Sequence, residues 1–377
     1  MAATRLFQIW AGTKMGYIDR YGNVVIDPVF DLIREFSEGT AAAKVDKLWG
    51  YIDGHGKMVI PAKFEDALPF EGGLAQVSLE KRWGWAATNG EIAIAPAYVM
   101  TEPFSDGCAA VLSNYHSPWG FIDATGKLSI PADFDLAWRF TEGRARVWKG
   151  GKWGFIDTKG NLVIGLVFDE ADAFAGGCAR VKYKGKHGVI GVNGDWLIEA
   201  AFDYLDNQAN EALKLMRVGG KFGYVDALGN TVIAPQFDSA EPFAQGLASI
   251  KINGQCGYVD RTGKIVIPVG FEYAGRFQED RAQVAVGRKW GYIDPSGQFV
   301  VEPKFEYDDY LDVGFSEGVA RFRTGGLWGF LDKAGAIAIE PRFTTAWPFN
   351  GGLSQAFTAD EGGYIDHRGS FVWRAKK

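Results

Sequence analysis

The sequence predicts an all-β protein built as a tandem repeat of about eleven three-stranded meanders. They stack as an open β-solenoid or superhelix, with a closed propeller-like ring as the alternative. Three observations carry this. A glycine recurs at Gly16, Gly50, Gly84, Gly120, Gly154, Gly188, Gly223, Gly257, Gly291, Gly329 and Gly363, most often 34 residues apart, with single gaps of 35, 36 and 38. Each glycine lies in a short alternating run, followed by a turn signal and a β-branched run, as in "CGYVD" and "KIVIP". Aromatic residues, with 27 Phe, 14 Tyr and 13 Trp, supply ample core material.

The elements follow in order within one unit. "GLASIKINGQ", from Gly246 to Gln255, reads as a first strand ending in a turn near Asn253-Gly254. "CGYVD" is the second strand. Asp260-Arg261-Thr262-Gly263 is a hairpin signal, an Asp opening a tight turn and a Gly taking the positive-φ position. "KIVIP" is the third strand. The connector to the next unit spaces its apolar residues by three, as in Phe64, Ala67 and Phe70, or Phe168, Ala171 and Phe174. That spacing predicts one helical or 3₁₀ turn with an apolar face. Pro69, Pro103, Pro242 and Pro348 limit its length. Phased this way, eleven whole meanders run from near Arg5 to near Trp373, and neither end supplies half a unit for strand exchange. One meander cannot bury its own aromatic face, so residues 1–377 form one repeat domain.

The fullest copy of the phrase is Trp49-Gly50-Tyr51-Ile52-Asp53, Gly56-Lys57, Val59-Ile60-Pro61, Phe64-Glu65, Phe70 and Gly73-Leu74-Ala75. It resembles the bacterial WG-repeat family, also called KWG repeats. The resemblance implies a repetitive all-β domain and no shared chemistry.

The formal charge of -6, with Lys and Arg scattered along the repeats, argues against a nucleic-acid surface. "MAATRLFQIWAG" has no apolar run for a signal peptide, and no segment approaches the roughly 20 apolar residues of a membrane helix. Three cysteines, Cys108, Cys178 and Cys256, do not suggest a disulfide framework. A cytoplasmic location without membrane insertion is expected, though secretion without a cleaved signal would leave the same trace.

Four ladders tempt a chemical reading. Asp19, Asp53, Asp123, Asp157, Asp226, Asp260, Asp294, Asp332 and Asp366 supply too few oxygens per unit for calcium and are expected to cap the hairpin turn. Asp31, Glu65, Asp135, Asp169, Asp203, Asp238, Glu272 and Glu306 recur too often for a catalytic pair and are expected to cap the connector. The Trp slot before the anchor glycine also takes Met15, His187, Phe222 and Cys256, which predicts packing and burial, Trp153 included. Cys108 and Cys178 occupy a leucine slot, and no zinc spacing occurs. With no Walker loop, nucleophile elbow or HExxH helix, neither catalysis, cofactor nor metal is expected.

Function in a repeat protein sits where repeats deviate or on variable positions along a face. The third unit adds residues around Tyr115 and His116. The sixth connector carries Tyr204, Asp206, Asn207 and Asn210, with Gln208 and Glu211 replacing repeat letters. The ninth adds Tyr307, Asp308, Asp309, Tyr310 and Asp312. Trp138 and Trp347 each follow the connector alanine. These residues suit recognition of another protein, as adaptor, inhibitor or immunity-type partner, with a basic patch facing the acidic ninth unit. Binding of a carbohydrate or cell-envelope polymer through exposed aromatics is the alternative. An enzyme with its site between units is the weaker third.

Overall fold

The computed structural model describes residues 5–207, 212–306 and 314–375. The second repeat shows how one unit forms. Strands Thr40–Val45, Leu48–Asp53 and Met58–Phe64 pair antiparallel, with Ala43 opposite Gly50 and Tyr51 opposite Ile60. The first hairpin turns through Asp46 and Lys47, both at positive φ (49° and 76°), the twist that a two-residue hairpin needs. Between Trp49 and Tyr51 the register slips, so that Gly50 faces a bulge in the third strand. A Cβ on Gly50 would strike the Ile60 carbonyl and lie 2.7 Å from Ala62 N. This close approach is why the anchor glycine recurs. Pro61 is tolerated there because the third strand is an edge of its sheet.

The connector differs from expectation. Among the described residues there is no helical turn. Leu32–Ile33 is instead a two-residue strand, Leu32 opposite Lys44 and Ile33 opposite Ala43. Asp31 N–H donates to Lys44 O and Arg34 N–H to Ala42 O, each at 2.9 Å. The physical reason is the free edge of the next unit's first strand. It satisfies the connector's N–H groups as well as a helical turn would, and leaves the connector extended. Two connectors form longer strands, Asp66–Glu71 and Leu136–Thr141, each with an irregularity before its Phe. Eleven sheets result among the described residues, nine of four strands and two of three.

Packing between repeats explains the three-residue spacing. The second connector Phe meets the aromatic residue that follows the preceding anchor glycine. Ring centroids are 4.6 Å apart for Tyr51–Phe70, 5.1 Å for Phe121–Phe140 and 4.7 Å for Tyr224–Phe243. The Tyr51 hydroxyl donates to Leu68 O at 2.7 Å, so its polar tip is satisfied inside the core.

The chain divides into two compact units, one of Trp10–Tyr17 and Val24–Ala201, the other of Met1–Ile9, Ile18–Asn23 and Phe202–Lys377. Within the first unit successive repeats share clusters such as Trp49, Tyr51, Ile60, Phe64 and Phe70. Within the second, the start of the chain packs on its last repeat. Phe7, Ile9 and Ile18 cluster with Leu353 and Tyr364, the Phe7 and Tyr364 rings 5.6 Å apart. A Cβ on Gly22 would strike the Val372 carbonyl. The open-solenoid expectation is corrected by this contact, because the terminal repeats of an open array keep free outer faces. Among the described residues the first and last sheets exchange no strand.

Candidate interaction surface

The repeated polar residues are occupied by the scaffold. Asp53 Oδ1 accepts the N–H groups of His55 (2.9 Å) and Lys57 (3.0 Å), an Asx-type turn that recurs at Asp19, Asp123, Asp157, Asp226, Asp260, Asp294, Asp332 and Asp366. The second acidic ladder does not cap the connector as expected. It reaches across to the hairpin turn of the following meander. Asp31 accepts Asp46 N–H (3.0 Å), Glu65 accepts Lys81 N–H (2.7 Å) and Asp203 accepts Gly219 N–H (2.8 Å). Asp31 also holds Lys14 at 2.7 Å. With no helical turn present, the nearest unsatisfied donors are those of the hairpin, and the carboxylate turns there.

A third device escaped the sequence reading. The turn before the first strand places Glu38 at φ 50°, and its carboxylate accepts Gly72 N–H (2.6 Å) and Gly73 N–H (3.0 Å) of the next repeat. Gly72 and Gly73, at φ 61° and 78°, aim both N–H groups at one anion. Glu142 does the same to Gly176 and Gly177, and Glu317 to Gly352. The signal was present as Glu-Gly in one repeat followed by Gly-Gly in the next.

The Trp slot is mixed. Trp49, Trp119, Trp290 and Trp328 are buried, as are Met15 and Cys256. Trp83 and Trp153 are only half-buried, which corrects the expectation for Trp153. Trp153 lies 5.1 Å from Trp138 and 6.4 Å from Trp148. The Arg146 guanidinium sits 4.7 Å from the Trp138 ring and 5.6 Å from the Trp153 ring, while its Nη1 donates to Ala171 O at 2.8 Å. Burial lowers the Arg146 pKa, opposed by Asp172 and Glu102. Burial raises the Glu102 carboxyl, opposed by Arg139 and Arg146. Trp148 on the neighbouring strand and Trp138 on the one beyond it make this a three-tryptophan group that the other slots among the described residues lack.

The position after the connector alanine varies from repeat to repeat. Successive repeats place there Arg34, Leu68, Glu102, Trp138 and Asp172 in one unit, and Asp206, Glu241, Gly275 and Trp347 in the other. Trp347 is 44% exposed, its ring 5.8 Å from that of Phe357. Trp138 is half-buried. Tyr115 is 75% exposed, beside exposed His116 in a turn held by Asn114. Tyr204 and Asn207 reach solvent. Asp206 does not: it is buried, and its Oδ2 accepts Leu215 N–H at 3.1 Å. Asn210, Tyr307, Asp308, Asp309, Tyr310 and Asp312 lie outside the described residues. Among the described residues no group of three or more His, Cys, Asp or Glu side chains is placed to hold a metal.

The family model described as WG containing repeat matches nine segments: 15–49, 49–83, 83–115, 119–153, 153–186, 222–256, 257–290, 290–328 and 328–356. The chain belongs to the WG-repeat family. The segment between residues 186 and 222, which holds the irregular sixth connector, falls outside the matches. No curated protein matches the sequence. Among solved structures it is similar to a eukaryotic initiation factor (10% identity, 100% of this chain and 98% of that one, TM-score 0.39). It is also similar to BamB from Moraxella catarrhalis (14% identity, 69% and 91%, TM-score 0.33). A third is the extracellular domain of a hybrid two-component system from B. thetaiotaomicron (8% identity, TM-score 0.27), of which 97% of this chain covers 61%. Likeness of this depth assigns no function to the WG-repeat chain.

Proposed function

We propose that this WG-repeat chain is a non-catalytic scaffold that binds another protein through the varied row after the connector alanine and the loops that break the repeat. One observation supports it above the others. The recurring inward and turn-forming letters are consumed by the scaffold's own contacts, whereas this position changes, from Arg34 to Trp138 in one unit and from Glu241 to Trp347 in the other. Exposed aromatic rings on a rigid frame are what protein recognition uses as anchors. A partner with a basic patch suits the acidic ninth connector. The alternative, a carbohydrate or cell-envelope polymer, draws on the half-exposed Trp138–Trp153–Trp148 group.

The test is a pull-down followed by titration of the purified pair. Trp138→Ala, Trp347→Ala and replacement of the ninth connector by the regular sequence of residues 237–243 are compared with the wild type. All three fold, the aromatic variants weaken binding, and the connector replacement removes its salt dependence. Unchanged affinity in all three at low and high salt overturns the reading. Displacement of the bound molecule by simple sugars favours the carbohydrate instead.

A further inference from the structure

The eighth repeat breaks the Trp slot in a way that no other described repeat does. Cys256 stands where Trp49, Trp119, Trp290 and Trp328 bury an indole. Elsewhere the substitutes still fill the space. Met15 brings a long thioether whose Sδ accepts Ile33 N–H at 3.1 Å, His187 an imidazole and Phe222 a phenyl ring. In the last repeat Gly362 leaves the slot bare, but Phe357, directly across the strand pair, drops its ring onto that glycine. The residue across from Cys256 is Lys251, which has no ring to offer.

A cavity of about 320 Å³ opens at this point. Its walls include Ala240, Ser249, Lys251, Cys256, Tyr273 and Ala274. These match, position for position, the surroundings of Trp49: Ile33, Ala42, Lys44, the slot itself, Asp66 and Ala67. Around Trp49 the ring is capped by the Arg34 guanidinium at 4.6 Å and the Lys44 amine at 5.7 Å. Around the empty slot Lys251 keeps the second of these cations. Arg276 comes from the next connector and is paired with Glu241 at 3.0 Å. The Ser249 hydroxyl is already spent on Ala274 O at 2.8 Å and the Glu241 carboxylate on Arg276, which leaves a mixed wall: Ala240, Ile250, Cys256, Tyr273 and Ala274 give it apolar surface, and Lys251 and Glu272 give it charge.

We infer that this cavity is a binding site for a planar aromatic ring of indole size, which takes the place of the missing tryptophan. The volume lies in the range of small-molecule sites. The site is preformed and half-open, so a flat ring can enter it, and the Lys251 ammonium on its wall favours a π face over an aliphatic group. Glu241 and Gly275 of the varied row also line this cavity, but binding of a small ring is measured without a protein partner and stands whether or not that reading holds.

The probes are indole and N-acetyl-tryptophanamide, titrated calorimetrically into the full chain. Saturable one-to-one binding of indole is expected, with a rise in Tm that grows with ligand concentration. Cys256→Phe, which copies the ring of Phe222, fills the hole and weakens indole at least tenfold, while Cys256→Ala keeps it. In the unaltered protein indole also slows alkylation of Cys256 by N-ethylmaleimide, read by mass spectrometry, and leaves half-buried Cys178 unaffected. This second measurement stands if Cys256→Phe does not fold. Binding of both probes shows that a ring carried on a peptide also enters; binding of indole alone points to a free small molecule. No saturable binding and no protection of Cys256, or equal binding by folded Cys256→Phe, overturns the site.

Discussion

Asp157 shows what a single repeated carboxylate does. Its Oδ1 accepts Asn161 N–H and Lys159 N–H at 2.9 Å, and its Oδ2 accepts the Asn161 side-chain amide. That amide is the main cause of its lowered pKa; slight burial pushes the other way, and the two backbone donors add to the lowering. Asp19, Asp53, Asp123, Asp226, Asp260 and Asp294 shift in the same direction. A folded pKa below the unfolded value of about 3.9 means stabilisation that is complete above that value and is lost as pH falls through the folded one. Tm is therefore expected to be flat above about pH 5 and to fall steeply below pH 4. Asp157→Ala lowers Tm at pH 7, and the gap to the wild type closes by about pH 2. A gap that stays constant with pH would show that the carboxylate's charge plays no part.

At the scale of elements, the slot residues separate scaffold from surface. Trp49 is 4% exposed and packs with Phe64 and Phe70 across two repeats. Trp49→Ala should cost roughly 3–5 kcal/mol in urea unfolding, as for other buried large-to-small changes. Trp153 is half-buried among Trp138, Trp148 and Arg146, so Trp153→Ala should cost clearly less. Acrylamide quenching reports the same division: removing Trp153 and Trp347 lowers the accessible fraction, whereas removing Trp49 leaves it unchanged. Equal costs for Trp49 and Trp153 would mean that the slot is one uniform core position. The connector belongs to this scale too. Because it pairs as a strand with the same neighbour in each repeat, the half-buried residue after its alanine position (Arg34, Leu68, Glu102, Trp138, Asp172) recurs at one place in the unit.

For the molecule as a whole, the informative contact joins residues distant in sequence. Phe7 and Tyr364 sit in one cluster with Ile18 and Leu353. A double-mutant cycle of Phe7→Ala and Tyr364→Ala should show a coupling of about 0.5–3 kcal/mol, the range for residues in contact. In an array with free ends the two changes would simply add. The same contact predicts that loss of the first repeat exposes the last, so that the two ends protect each other from local opening.

The repeat itself, its period and the all-β class were legible in the residues, since a glycine and an aromatic pair every 34 positions have few other uses. The Asx turns were legible as well, because Asp and its donors lie within four residues. What depended on distant partners was not. The connector's three-residue spacing fits a helical turn until the neighbouring strand edge at Ala42 and Lys44 claims its N–H groups. The partners of Asp31 and Glu38 lie 15 and 34 residues away, so their roles appeared only in the structure. Tertiary packing likewise set Asp206 inside, Trp153 half outside and the first repeat against the last. The sequence by itself determined which groups recur within a unit, because those interactions are local. Only the tertiary structure decided which unit each group serves, because hydrogen bonds and ring contacts between repeats depend on how neighbouring sheets stack.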